Sequence, residues 1–411
     1  MSSNTSHLRK IGKSASFILP ACLLLPAMAS AQTEPRVTVD VSLNGGVDSN
    51  PYLEPGGKSA LSATLQVDPK VYWEDETTTV VVDASLRMTQ YLQRYGNDLG
   101  GRVGVSATKQ LNTRTSLRAS AGFQTSRSTL QDFLLGSLGE PLDPVQFPDV
   151  TFTDVTTAGR RTRVQTLDAS VGIDHVLSED EAISIFGATS YSRFSGPGQI
   201  DFRTGTVGGR YRKQLSERTS VNAGVTGTVV DYIATSEGDA RIINPQVGIE
   251  NKINERVSWT ANVGVSIAAV DNTFQESRTK AYITGAFSIC DRGVQSGLCG
   301  SISRSSEPTA FGGVRAVTNI AAVYDKQLSR NERLILSGRY GQTSQATTPV
   351  LVNGARNTQI YGVSGTYSKD FNERVSFVVT PSFTKAVERR FRNETNYAIM
   401  AGIRVRLGKL R

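Results

Sequence analysis

The chain has 411 residues, 45 basic and 37 acidic side chains, two histidines and three cysteines. The basic residues are scattered singly, which argues against the concentrated patch of a nucleic-acid binder. No run of about 18 apolar residues exists after residue 31, so the chain offers no membrane-spanning helix there.

The N-terminus carries His7, Arg9, Lys10 and Lys13 with no acidic residue before Glu34, then an apolar run from Ala15 to Ala29 ending in Ala29-Ser30-Ala31. A basic start, a short apolar core and a small-x-small end predict a secretory signal peptide over residues 1–31. Leu19-Pro20-Ala21-Cys22 loosely resembles a lipobox, but the apolar Leu23-Leu24-Leu25 stands where a lipoprotein has a polar linker. Three basic residues leave with the signal, so the charge of residues 32–411 is 42 minus 37, or +5.

From residue 32 onward the pattern is alternation. Val257, Trp259, Ala261, Val263, Val265 and Ile267 interleave with Ser258, Thr260, Asn262, Gly264 and Ser266. Val375, Phe377, Val379 and Phe383 interleave with Ser376, Thr380, Ser382 and Thr384. Tyr397 to Leu407 repeats the pattern with Arg404 and Arg406 on the polar side. Period two puts each set on one face of a strand. The strands are long, the polar set is small with single arginines, and 380 residues run without a dividing linker. These features predict an all-β fold: one transmembrane antiparallel up-and-down barrel spanning 32–411, in a bacterial (Gram-negative) outer membrane.

A turn phrase recurs along it: Lys109-Gln110-Leu111-Asn112, Lys213-Gln214-Leu215-Ser216, Lys252-Ile253-Asn254-Glu255-Arg256, Lys326-Gln327-Leu328-Ser329 and Lys369-Asp370-Phe371-Asn372-Glu373-Arg374, with looser copies at 73–77 and 176–181. Asn or Ser among charged residues makes a tight wet turn. Turn centres near 75, 112, 178, 216, 254, 329 and 372 fall about 38 residues apart, and the double gap from 254 to 329 predicts a further turn near 292. Eight turns and two ends give eighteen strands; if 279–306 is one elaborate loop, the count is sixteen. Outer loops are expected at 48–58, 94–100, 128–160, 196–199, 235–239, 271–278, 305–311, 344–356 and 386–392. Only 128–160 is long. It mixes Phe133, Leu134, Leu135, Leu138 and Phe147 with acids, and reads either as a solvated loop or as one folded inward to narrow the lumen.

With the apolar set facing lipid, the inner face carries Arg87, Arg118, Arg210, Arg212, Arg315, Arg339, Arg404 and Arg406, diluted by Asp83, Asp168, Asp174 and Glu250. These arginines either tune a water-filled pore toward anions or pair with the acids and keep the lumen wet. Cys290 and Cys299 fall in one short stretch of an exported chain, so a local disulfide is expected. No metal site or cofactor is expected. An enzyme would need a Ser-His pair, but His175 is the one histidine beyond the signal. It takes the lipid-facing parity of its strand, and no Gly-x-Ser-x-Gly elbow is present. The remaining alternatives are a general diffusion porin with mild anion preference and a plugged structural barrel.

Gly45-Gly46-Val47-Asp48-Ser49-Asn50-Pro51-Tyr52, Val67-Asp68-Pro69-Lys70-Val71-Tyr72 and Ala401-Gly402-Ile403-Arg404-Val405-Arg406-Leu407 resemble the opening, second and closing strands of the outer-membrane β-barrel porins encoded with exopolysaccharide export genes. The resemblance implies a role in polysaccharide secretion, as conduit or accessory, with polysaccharide export components as partners alongside outer-membrane lipid and the barrel-assembly machinery. The chain departs from barrels that close on an aromatic residue, because Gly408-Lys409-Leu410-Arg411 follows Leu407.

Overall fold

The computed structural model describes residues 34–127, 161–233, 239–271, 278–343, 358–388 and 392–408. The expected signal peptide and the long loop 128–160 lie outside them. The described residues form eighteen strands: β1 (Arg36–Asp48), β2 (Ala60–Glu74), β3 (Thr78–Tyr91), β4 (Asn97–Asn112), β5 (Thr115–Ser126), β6 (Val164–Val176), β7 (Glu181–Phe194), β8 (Phe202–Ser216), β9 (Thr219–Tyr232), β10 (Ala240–Lys252), β11 (Val257–Val270), β12 (Arg278–Arg292), β13 (Ser296–Pro308), β14 (Val314–Ser329), β15 (Glu332–Thr343), β16 (Thr358–Asp370), β17 (Val375–Glu388) and β18 (Arg392–Gly408). Each pairs antiparallel with its chain neighbours, and β1 pairs with β18 over Thr38↔Gly408 to Asp48↔Ala398, so the sheet closes. Residues 278–308 form two wall strands, which decides for eighteen over sixteen.

Local chemistry explains the repeated turns. Asn372 Oδ1 accepts the N–H groups of Arg374 and Val375, each at 2.9 Å. Asn254 does the same for Arg256 and Val257, and Asn112 for Arg114. Ser216 serves Arg218 and Thr219, and Asp75 serves Thr77 and Thr78. A short polar side chain thus satisfies the backbone donors that the hairpin frees. All eight short turns gather at one end of the barrel, and the longer connections gather at the other. The outer connections follow the expected order with shifted bounds. β4 already starts at Asn97, and the β13–β14 connection is Thr309–Gly313, because β13 keeps its pairing to Pro308.

The large exposed hydrophobics share one parity: Leu43, Leu65, Leu86, Val103, Phe123, Ile185, Val207 (68% exposed), Val247, Ile283 (73%), Val363 and Ile403. Two aromatic girdles bound this apolar band. Trp73, Tyr211, Trp259 and Tyr367 stand toward the short turns. Toward the long loops, Tyr340 packs on Tyr361 with ring centroids 5.0 Å apart, and Phe383 on Tyr397 at 5.1 Å. A closed sheet satisfies most of its wall hydrogen bonds within itself, and an apolar band between aromatic girdles is the surface that a bilayer solvates. The protein is an outer-membrane β-barrel.

Candidate functional site: the lumen and its constriction

The register fixes what faces inward. Arg118 lies opposite Gly172, Arg210 opposite Ser184 and Gly224, Arg212 opposite Asn222, and Arg404 opposite Ser42 and Ser376. Arg406 lies opposite Asp40, Arg87 opposite Gln66, Arg315 opposite Glu307, and Arg339 opposite Ala321 and Gly362. All eight alternate with the lipid-facing set. They do not form one ring. Arg118, Arg210, Arg212, Arg404 and Arg406 stand in the short-turn half, Arg87 and Arg339 higher, and Arg315 at the long-loop end.

Most of the lower arginines have acidic partners. Arg118 Nη2 lies 2.7 Å from Asp174 Oδ2, and Ser184 Oγ donates to the same carboxylate at 2.6 Å. Arg212 approaches Glu250 at 3.8 Å, and Arg406 grips Asp40 with two N–H groups, each at 2.8 Å. Arg333, on the same face, does likewise with Asp325. Arg210 and Arg404 make no ion pair with a described residue. They stand on β8 and β18, ten strands apart one way and eight the other, so they face each other across the barrel.

The long-loop half is different. Many of its inner-face side chains are buried: Ser62 and Thr64 on β2, Thr89 on β3, Val230 on β9, Ser266 and Ala268 on β11, Ser364 and Thr366 on β16, Thr384 and Ala386 on β17. Part of the filling is the β13–β14 hairpin tip. Residues 305–308 pair only with β14, and β12 residues 278–284 have no partner on their β13 side among the described residues. Released from that neighbour, the tip turns into the lumen. Thr309 to Val317 are buried on both faces, and Arg315 is 0% exposed. Val314 packs in an apolar cluster with Phe202, Val230, Tyr232, Ala240, Ile242, Ala268 and Val270, on the wall of β8–β11.

Four hydrogen-bonding contacts fasten the tip there. The Tyr232 hydroxyl lies 2.9 Å from the carbonyl oxygens of both Thr309 and Gly313, and accepts the Thr309 N–H at 3.1 Å. Ile200 N–H donates to the Ala310 carbonyl at 2.7 Å. The tight return needs two successive left-handed residues, supplied by Gly312 (φ 85°) and Gly313 (φ 75°). Sequence reasoning places these residues among the outer loops. The signal for their inward course is the apolar Ala310-Phe311 ahead of the two glycines.

A second inturned segment follows β1. Asn50 N–H donates to Asn396 Oδ1 at 2.8 Å, and Asn396 Nδ2 donates to Asp48 Oδ1 at 3.2 Å. The Asn50 amide also brackets the backbone of Glu54. Gly57 lies against that amide, where a Cβ would overlap it. This network carries Tyr52 and Leu53 into the interior, where Tyr52 stacks with Tyr91 and Tyr95 under the Arg161 guanidinium. Burial pushes the Tyr52 hydroxyl up to about 12, with the Asp98 charge adding to it. The Gly45–Tyr52 motif therefore has a structural job: it ties the first loop to the last strand across the closing seam.

Cys290 and Cys299 sit directly opposite each other on β12 and β13, facing inward just above the turn, and are disulfide-bonded with Cα atoms 4.1 Å apart. His175 faces outward, with Nδ1 2.9 Å from Thr115 Oγ1. Among the described residues no group of three metal-ligating side chains assembles.

No family model matches the chain, and no curated protein does. Among solved structures, it is similar to Pseudomonas aeruginosa OccK2 (OpdF) in complex with glucuronate, at 9% identity over 92% of this chain and 99% of that one, with a TM-score of 0.46. It is similar to P. aeruginosa OpdK with vanillate at 12% identity, 90% and 99% coverage and a TM-score of 0.47. For the siderophore receptor PirA of the same organism the values are 9%, 92%, 81% and 0.44. The strand pairing described above stands without these likenesses.

Proposed function

We propose that the protein is a porin-like conduit whose short-turn half is a basic aqueous vestibule and whose long-loop half is the gate, and that it serves exopolysaccharide secretion. The observation that carries the conduit reading is the charge left after pairing. Asp174, Glu250 and Asp40 neutralise Arg118, Arg212 and Arg406, while Arg210 and Arg404 remain across the lumen from each other. An arginine keeps its charge at any physiological pH. Between low-dielectric walls its field is focused, so two facing guanidiniums enrich anions at the mouth. The secretion reading rests on the resemblance of the end strands, and a solute bearing acidic sugars suits a basic vestibule. The short turns are taken as periplasmic, so the vestibule receives solute from inside.

Purified protein in a planar bilayer tests the conduit directly. Discrete current steps and a reversal potential displaced toward anion permeability are expected under a salt gradient. A silent bilayer, with the protein shown to be inserted, leaves a plugged structural barrel. The process is tested separately, by loss of surface polysaccharide in a strain lacking the protein.

A further inference from the structure

The inner wall between β3 and β6 carries a feature that neither the vestibule nor the gate uses. The register aligns Asp83, Gly104, Gly122 and Asp168 as one row across four strands. The row on the long-loop side is Ser85, Arg102, Gln124 and Thr166. The row on the other side is Val81, Ser106, Ser120 and Ser170. Two adjacent positions without a Cβ make a floor, and the side chains around it make a rim. The result is a notch of about 240 Å³ lined by Asp83, Arg102, Ser106, Ser120, Gln124 and Asp168.

The glycines leave room for the carboxylates as they stand. A Cβ on Gly104 would lie 3.0 Å from Asp83 Oδ1, and one on Gly122 would lie 3.0 Å from both oxygens of Asp168. Both acids therefore lean over the floor from opposite sides. Their situations differ. Asp83 has the Arg102 guanidinium at 3.5 Å. Asp168 makes no hydrogen bond or ion pair with any described residue. Its lateral neighbour Ser190 is engaged with Thr204 at 2.7 Å, and Ser170 with Ser120 at 2.7 Å. The Asp168 carboxylate is solvent-exposed and unengaged at the edge of the floor, so its oxygens are free to accept hydrogen bonds from a solute that reaches the notch.

We infer that this notch is a binding subsite for a hydroxyl-rich solute unit, of which a pyranose ring is the type. The Asp168 oxygens accept a pair of adjacent hydroxyls. The rim also offers Arg102 N–H donors and Gln124 and serine groups that both donate and accept. A hydroxyl can answer all of these, whereas an ammonium only donates and would leave Arg102 and the Gln124 amide donors unmet. The glycine floor gives a flat surface against which a ring face can lie. The subsite deepens the conduit reading, since it is of use only where solute reaches the inner wall.

The test is saturation-transfer NMR on the folded barrel in a zwitterionic, sugar-free detergent. The probes are an equimolar mixture of glucose, galactose and mannose and, separately, methylammonium. Saturation transfer to at least one sugar is expected, with a loss of about fivefold or more in Asp168→Asn and in Gly122→Val, and none to methylammonium. The inference is overturned if no sugar shows transfer, if Asp168→Asn leaves it unchanged, or if methylammonium gives the stronger signal, which would make the notch a cation site. Asp168→Asn carries the result should Gly122→Val fail to assemble, and a heat-modifiable electrophoretic shift establishes folding in each case. Bilayer current decides the conduit independently: sugar binding without current keeps the notch and removes the conduit.

Discussion

The two halves of the barrel solve opposite problems with the same wall. In the short-turn half the inner face is charged and wet: Arg118 and Arg212 are more than half exposed even while ion-paired. In the long-loop half much of the inner face bears buried Ser, Thr, Ala and Val, with a few charged groups such as Asp48, Asp98 and Glu388 buried among them, and Arg315 at its end is fully enclosed. A wall dense in exposed arginine and carboxylate pairs is costly to desolvate, which disfavours packing a loop against it. A wall of small residues can receive an inturned hairpin, and it does. Openness in this barrel therefore follows from which residues occupy the inward parity at each height, with no change in strand number.

The strongest way to break this contrast is to remove the packed tip. Replacing Thr309–Gly313 with a two-residue Asn-Gly turn should leave β13 and β14 paired, since that turn suits a hairpin. Single-channel conductance should at least double, because the tip no longer crosses to the wall of β8–β11. A deletion of 132–154 makes the matched comparison. If that deletion opens the channel and the tip replacement does not, the limiting obstruction is the long loop, and the tip is only packing.

The next effect is on selectivity. Replacing Arg210, Arg212, Arg404 and Arg406 with Gln removes four positive charges from the wet half and leaves Glu250 and Asp40 without their partners. The reversal potential under a salt gradient should move toward cation permeability, while assembly holds, since exposed ion pairs contribute about 0–1 kcal/mol each. An unmoved reversal potential would mean that these side chains lie off the conducting path. The Arg210→Gln, Arg404→Gln pair alone should give most of the shift, because those two lack acidic partners among the described residues.

A smaller effect separates the halves by pH. The raised Tyr52 hydroxyl favours the folded state while it is neutral. Its contribution is complete below the ordinary tyrosine value near 10, and is lost as pH rises through about 12. The temperature of the electrophoretic shift should fall over that window more steeply in the native chain than in Tyr52→Phe, which has no proton to lose. Identical profiles would mean that the inturned first loop opens before the barrel does.

How much of this was legible in the sequence differs by half as well. Most turn positions were readable because most short turns are closed by their own Asn, Ser or Asp, a local interaction that repeats with the hairpin; the β12–β13 turn, closed by Gly293 N–H on the Ser296 carbonyl, lacks that signal and left the count open between eighteen and sixteen. Inward parity was readable for the same reason: alternation is local, and Arg404 and Arg406 declare it beside Ile403 and Val405. The inturned tip was not readable. Thr309-Ala310-Phe311-Gly312-Gly313 has the composition of an outer loop, and what draws it inward is Tyr232, 77 residues earlier. The notch was hidden similarly. Asp83 and Asp168 read as two dispersed acids until the register placed Gly104 and Gly122 between them. Arg102, which serves Asp83, escaped the sequence reading although it shares the parity of Gly104 and Ser106.

The smallest effect belongs to the disulfide. Cys290 and Cys299 are cross-strand neighbours in a hairpin whose backbone pairing runs on through Ile289↔Gly300 and Asp291↔Leu298. The loop that they close is short, and the chain-entropy model gives it about 2–3 kcal/mol. That sum is an upper figure here, because the hairpin turn already restricts the same residues through Gly293 N–H to the Ser296 carbonyl at 2.7 Å. The barrel, by contrast, is closed by the β1–β18 seam, whose pairing extends over eleven residues on each strand and owes nothing to the cysteines. Cys290→Ser with Cys299→Ser should therefore assemble to the parent level and lower the heat-modification temperature by only a few degrees. The tip argument makes a sharper demand. The bridge lies at the short-turn end of β13, the strand whose far end runs into the inturned tip, so a bridge that tensioned the tip would alter conductance when removed. Unchanged conductance in the double serine variant is expected, and a changed value would join the two halves that the packing pattern keeps apart.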